Sequence, residues 1–149
     1  MEILNKAQRL LQILETNPVP TPGLILPEAA GILLKHKNEG LFLKRTQNED
    51  WDNVGSWAYT GGGINDGESP YQAALRECNE EIGCLPKFEL LGEFQHGSFV
   101  TYVGEVANKD FEVKLNHEHE MYGWYNFSDQ SLSPLHPGVF PVLQHFGLV

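Results

Sequence analysis

One segment constrains this chain more than any other. Ser69 followed by Pro70 opens a helix, because serine caps the free amides and proline suits the first helical position. Gln72, three residues after Ser69, completes a capping-box pattern, and Gly83 supplies a stop. Between them Tyr71, Ala74, Leu75, Cys78 and Ile82 fall on one face at about 100° per residue, a stripe that has to be buried against another layer. On the neighbouring polar sector Glu77, Glu80 and Glu81 cluster near the C-terminal end. That end already exposes carbonyl oxygens and carries partial negative charge. Glu77 also faces Glu80 at i,i+3 and Glu81 at i,i+4, and each like-charged pair costs roughly 0.2–0.5 kcal/mol. Arg76 offsets part of this through Glu80 at i,i+4, but it cannot neutralise three carboxylates. Either the face is solvated or a cation belongs there.

Just before the helix lies TGGGINDGE, Thr60 to Glu68. Its glycines let backbone approach a ligand or adopt positive φ. Clustered carboxylates beside such a loop make a hard-oxygen site, which suits Mg²⁺ together with substrate phosphates. Without a cation, crowding should raise at least one of the carboxyl pKa values. TGGG is not a phosphate-cradling P-loop, because no Gly-Lys-Ser/Thr follows.

With these residues in view, the span GGINDGESPYQAALRECNEEIGC, Gly62 to Cys84, resembles the Nudix box. Gly62, Glu68, Arg76, Glu77, Glu80, Glu81 and Gly83 stand in its register, with Cys78 and Cys84 at its apolar positions. The resemblance implies an α/β fold: an α/β/α sandwich with a mixed sheet. It implies metal-dependent hydrolysis of a pyrophosphate bond in a small nucleotide, or in a nucleoside diphosphate linked to another group. Nucleoside triphosphates are preferred over ADP-ribose, nucleotide sugars and dinucleoside polyphosphates. Glu77, Glu80 and Glu81 look like ligands for Mg²⁺, or for Mn²⁺, joined by the main-chain carbonyl of Gly62. Arg76 and Glu68 look like a pair that orients loop and helix. The alternative is a Nudix-like module that binds or senses a nucleotide without cleaving it. The family often has Pro-Gly-Gly where this chain has Thr60, Gly61 and Gly62.

Outside the box, NHEHEMYGW, Asn116 to Trp124, is the most informative stretch. Some Nudix enzymes carry a further glutamate here as base or ligand. Glu118 is preferred for it and Glu120 is the alternative, against the plain reading of a solvated acidic turn. A zinc site through His117 and His119 lacks an evident third ligand, and HExxH is absent. Lys44 and Arg45 end a strand, where they either meet substrate phosphates or form ordinary surface charge. Trp51, Trp57 and Tyr59 are candidates to stack on a base, against the commoner role of core aromatics. His136 either lines the pocket or is structural. NEDWDNVGSWAY, from Asn48, is not a calcium loop, because Val54 replaces an oxygen ligand and Gly61 stands where the closing Glu belongs.

Apolar spacing predicts an amphipathic helix over residues 3–15, ended by NPVPTPG at 17–23. Residues 1–22 therefore read as helix and proline-rich linker, and 23–149 as the Nudix domain. The first helix either packs on the domain or supplies a homodimer contact. Strands are expected at Glu28–His36 and Leu41–Arg45 around a turn, then at Leu90–Gln95, Ser98–Val106, Phe111–Leu115 and Tyr122–Tyr125, with a short helix in PGVFPVLQHFG. The 149 residues carry a formal charge of −10 and no basic run, which argues against a sequence-independent grip on nucleic acid. Triphosphorylated or capped RNA is accordingly less expected. No apolar run approaches the ~20 residues that span a bilayer. The N-terminus does not read as a signal peptide, so a cytoplasmic location is expected. Cys78 and Cys84 form no CxxC and read as small apolar residues.

Overall fold

The computed structural model describes residues 25–48 and 53–149. The expected first helix and linker, the dimer contact assigned to them, and Trp51 lie outside the described residues. Two strands, β1 (Ala29–His36) and β2 (Glu39–Arg45), form the expected hairpin. The strands β3 (Trp57–Ala58) and β4 (Thr60–Gly63) lead into helix α1 (Pro70–Ile82). After it come β5 (Glu89–His96), β6 (Phe99–Glu105), β7 (His119–Asn126) and helix α2 (Val139–His145). Among the described residues no helix is long and apolar enough to cross a membrane.

The sheet is mixed: β1 runs parallel to β6, and its other pairings are antiparallel. Because β1 is bonded along both edges, its central residues are apolar and buried on both faces, and strand alternation divides them between two cores. Ile32, Leu34, Leu41, Leu43, Val100 and Tyr102 pack with Ala73, Ala74, Cys78 and Ile82 of α1. Leu33, Phe42 and Val103 pack with Val139, Val142 and Leu143 of α2. The result is a sheet between two helices.

One feature of this topology makes the site. β2 and β4 share an edge of β1, β2 pairing at Lys35–His36 and β4 along Ala29–Ile32. Beyond Gly40, β2 leaves β1 and pairs with β3 at Leu43–Lys44, while β7 pairs with β2 from Glu39 to Arg45. The end of β2 and the start of β7 therefore do not pair with β4, and a cavity lies where Leu43, Arg45 and His119 meet Gly61 and Gly62.

Two expectations are corrected. The glycine run reads as loop from its composition, yet Thr60–Gly63 is strand β4. Crowding requires glycine at Gly61, where a Cβ would lie 2.9 Å from the Phe99 ring and 3.1 Å from the Ala30 carbonyl oxygen. Phe111–Leu115 is not a strand. Its alternation is genuine, since Phe111, Val113 and Leu115 all pack on the α1 core. Its backbone, however, serves the helix end, with Lys114 N–H donating to the Ile82 carbonyl at 2.8 Å.

Candidate active site

Helix α1 is set as its sequence predicts. Gln72 N–H donates to Ser69 Oγ at 3.1 Å, and Ser69 N–H donates to Gln72 Oε1 at 2.9 Å. Gly83 ends the helix at φ 78°, a left-handed conformation costly for residues with a Cβ. No basic residue lies in the last turn, so its negative end stays uncompensated within the helix.

The three helix glutamates occupy different surroundings. Glu80 is half exposed and takes Arg76 Nη1 at 3.2 Å. Glu77 is mostly covered and takes the same nitrogen at 2.9 Å. Its carboxylate lies against Gly62 so closely that a Cβ there would collide with it. Glu81 is only 2% exposed. Its Oε1 accepts from Gly61 N–H at 2.8 Å, and its Oε2 lies 3.4 Å from His119 Nδ1. Arg76 thus gathers the outer pair, while Glu81 projects into the opening between β4 and β2.

Burial pushes the Glu81 carboxyl up to about 9, against the Gly61 hydrogen bond, with the Glu77 and Glu118 charges adding to it. Glu77 is also raised, first by burial and against Arg76. Crowding is the cause expected from the sequence; burial is the larger one. A carboxylate held this dry, beside two others, is what a hard cation stabilises.

Arg76 fastens loop to helix. Its Nε donates to Glu68 at 2.8 Å, and Nη2 donates to Glu68 at 3.0 Å and to the Gly63 carbonyl at 2.8 Å. That guanidinium holds the Glu68 carboxyl below its ordinary value. Arg76→Ala should free the turn at Asn65–Glu68, whose Asn65 N–H donates to Glu68 at 3.0 Å. Hydrogen exchange should then show the Asn65 amide losing protection, while amides of β1 and β6 keep theirs. Unchanged protection at Asn65 would contradict the role.

Glu118, rather than Glu120, reaches the cluster. Glu81, Glu118 and His119 each bring a ligand atom within 4.8 Å of the other two. A β-bulge accounts for this choice. Lys44 pairs with Met121 and Arg45 with His119, so Glu120 is the extra residue, and it is exposed. His119, considered from the sequence only as a zinc partner of His117, instead joins Glu81 and Glu118. Strict alternation would put it on the face of exposed Met121, and its partner Glu81 comes from a distant helix. His117 is exposed and does not join the group.

A cavity of about 200 Å³ runs from Glu81, Gly61 and Gly62 to the start of α2. Arg45, Tyr59, His136 and Val139 are among its walls. Lys44 is not, because successive strand residues point to opposite faces. Tyr59 is buried, with its hydroxyl 2.7 Å from Thr101 Oγ1. Trp57 does not reach the cavity; it packs edge-on against Tyr125 in the core, ring centroids 5.2 Å apart. His136 Nδ1 accepts from Gly138 N–H at 3.0 Å, and Nε2 lies 3.3 Å from the Asn53 amide.

With this geometry established, the comparisons with known proteins are decisive. The NUDIX domain model matches residues 25–146. The chain belongs to the Nudix family. Over 54 residues it is 43% identical to an RNA pyrophosphohydrolase of a Nitratiruptor species, covering 36% of this chain and 34% of that protein. Over 61 residues it is 38% identical to an RNA pyrophosphohydrolase of Cellvibrio japonicus, covering 41% and 33%. The matches thus span about a third of the length of these curated relatives. Among solved structures, a C. elegans Ap4A hydrolase superposes with a TM-score of 0.65 at 22% identity, covering 80% of this chain and 96% of that one, and shows the shared fold. A MutT protein from Methanosarcina mazei Go1 gives 0.54 at 27% identity, covering 71% and 80%.

The Nudix site has a pH signature. The folded chain binds a proton at Glu81 more tightly than the unfolded chain does. The stability this contributes is full below the ordinary Glu range and is lost as pH rises toward about 9. In chelator, the wild-type melting temperature should fall between pH 5 and 9 more steeply than that of Glu81→Gln. Parallel melting curves for the two would contradict the burial account.

Proposed function

We propose that this Nudix chain is a divalent-cation-dependent pyrophosphohydrolase acting on small nucleotides, with nucleoside triphosphates as the preferred class. The single observation that carries the reading is the buried Glu81 carboxyl, which opens onto a cavity walled by Arg45 and feels the charges of Glu77 and Glu118 beside it. Glu77, Glu80 and Glu81 with the Gly62 carbonyl, and Glu118, are the oxygen donors for Mg²⁺, with Mn²⁺ as the alternative. Their chemistry fits such an ion: hard oxygens around a carboxylate that burial alone would keep protonated. When bound, the ion shields phosphate charge and acidifies a water.

The chain's own groups do the rest. Arg45 faces the phosphates. Gly61 N–H fixes the orientation of the Glu81 carboxylate, and Arg76 with Glu68 holds the loop that carries Gly62. Glu118, half-buried beside Glu81, is the candidate to take the proton from the attacking water. The cavity is smaller than the roughly 300–1,000 Å³ of pockets that enclose a whole ligand. It therefore suits one part of a nucleotide, with Tyr59 as a wall, while the phosphates lie at the carboxylates. Lys44 and Trp57 are candidates for substrate contact from sequence alone; their placement away from the cavity gives them no part in this reading.

The test is a product-resolved hydrolysis panel: nucleoside triphosphates, ADP-ribose, a nucleotide sugar, a dinucleoside polyphosphate and 5′-triphosphorylated RNA. The RNA is included because the curated relatives named above are called RNA pyrophosphohydrolases. Highest kcat/KM on a nucleoside triphosphate supports the preference. Preferred turnover of any other class overturns it, and tight binding without turnover of any class favours the binding-module alternative.

A further inference from the structure

His119 has a chemistry that the carboxylate set does not explain. Its side chain is 7% exposed, and its Nδ1 is buried without a hydrogen-bond partner. That nitrogen faces Glu81 Oε2 across 3.4 Å. Native folds rarely leave a buried imidazole nitrogen unmatched. The bulge at Glu120 turns His119 inward, and bulges beside sites commonly re-aim a side chain in this way.

We propose that His119 supplies a nitrogen ligand, through Nδ1, to a divalent cation shared with Glu81 and Glu118, and thereby shifts the site's preference from Mg²⁺ toward borderline ions such as Co²⁺ and Zn²⁺. Three ligand atoms from two separate elements, all within 4.8 Å of one another, leave room for one ion between them. An all-oxygen set suits Mg²⁺, whereas imidazole suits the later first-row metals. The nitrogen is therefore the group that decides which ion is held. The inference rests on the hydrolase reading only in requiring a cation at Glu81.

The experiment uses full-length, tag-free protein loaded with Mn²⁺ and examined by electron spin-echo envelope modulation. Wild type should show ¹⁴N modulation from a directly bound imidazole. His119→Gln should lose it, and His136→Gln, whose ring lines the same cavity, should keep it. By calorimetry His119→Gln should weaken Co²⁺ at least about tenfold and Mg²⁺ far less. If Mn²⁺ binds, is lost in Glu81→Gln and shows no ¹⁴N modulation, His119 is not a ligand, while the hydrolase reading stands. ¹⁴N modulation that survives His119→Gln overturns the assignment in the same way. If no divalent cation binds, both fall. If His119→Gln fails to fold, absence of ¹⁴N modulation in wild type still overturns the assignment, and modulation kept by His136→Gln still supports it.

Discussion

Glu81→Gln is expected to remain folded and to lose hydrolysis by at least about 10²-fold, the lower end of what a positioned base or its equivalent contributes. The two effects separate because the residue's role is chemical. An amide is nearly isosteric with the carboxylate, so its oxygen still accepts from Gly61 N–H. Its NH₂ can donate to His119 Nδ1, which lacks a hydrogen-bond partner in the wild type. A buried ionisable group disappears at the same time. In chelator at pH 8 the variant should therefore melt at or above the wild-type temperature, a stability gained where function is given up. What it cannot do is gain from a cation: the rise in melting temperature that Mg²⁺ or Mn²⁺ gives the wild type should vanish. A variant that unfolds in chelator would make Glu81 a structural residue.

Gly31→Ala should cost the most stability of any single methyl added to this fold, roughly 3 kcal/mol, the upper part of the range for overpacking. Gly31 lies opposite Gly61 in the β1–β4 pairing. A Cβ there would collide with the Thr60 carbonyl oxygen and come within 3.0 Å of the Phe99 ring and 3.1 Å of Gly61 Cα. Two of those neighbours are backbone, which cannot swing aside as a side-chain tip can. Relief requires β4 to move from β1, and β4 carries both the Gly61 N–H that holds Glu81 and the Gly62 cradle of Glu77. Urea denaturation should report the loss, and cation-dependent stabilisation should weaken with it. By contrast, the nearest atoms to a Cβ on Gly62 are those of the Glu77 carboxylate, the end of a flexible side chain. Wild-type stability in Gly31→Ala would show that the β1–β4 pairing is not tightly packed.

How much of this was legible in the sequence depends on how local the deciding forces are. Helix α1 was legible residue by residue, because cap, stripe and stop lie within one stretch. The hairpin of β1 and β2 was legible for the same reason. Strand β4 was not: nothing inside TGGG announces a strand, and Gly61 is explained only by Phe99, Ala30 and Gly31 from elsewhere. Phe111–Leu115 has the right alternation and the wrong hydrogen-bond partner, a helix end in place of a strand. In the site, the three glutamates were found together, but their differing exposure was not, since it depends on how β4 and the end of β2 sit around the cavity. Glu118 was reached from the family pattern. His119 was hidden by a one-residue bulge, whose effect on the facing of side chains no alternation rule conveys. Lys44 and Arg45 could have been told apart, because adjacent strand residues cannot both face one cavity.

The central claim is that a buried, cation-dependent carboxylate at Glu81 drives pyrophosphate cleavage. It is tested most directly by following the cleavage of a nucleoside triphosphate with the products separated. Wild type and Glu81→Gln would be compared in Mg²⁺, in Mn²⁺ and in chelator. The account predicts turnover only for wild type with a cation, and none above background in the other arms. Turnover that persists in chelator, or that Glu81→Gln sustains at the wild-type rate, would contradict it.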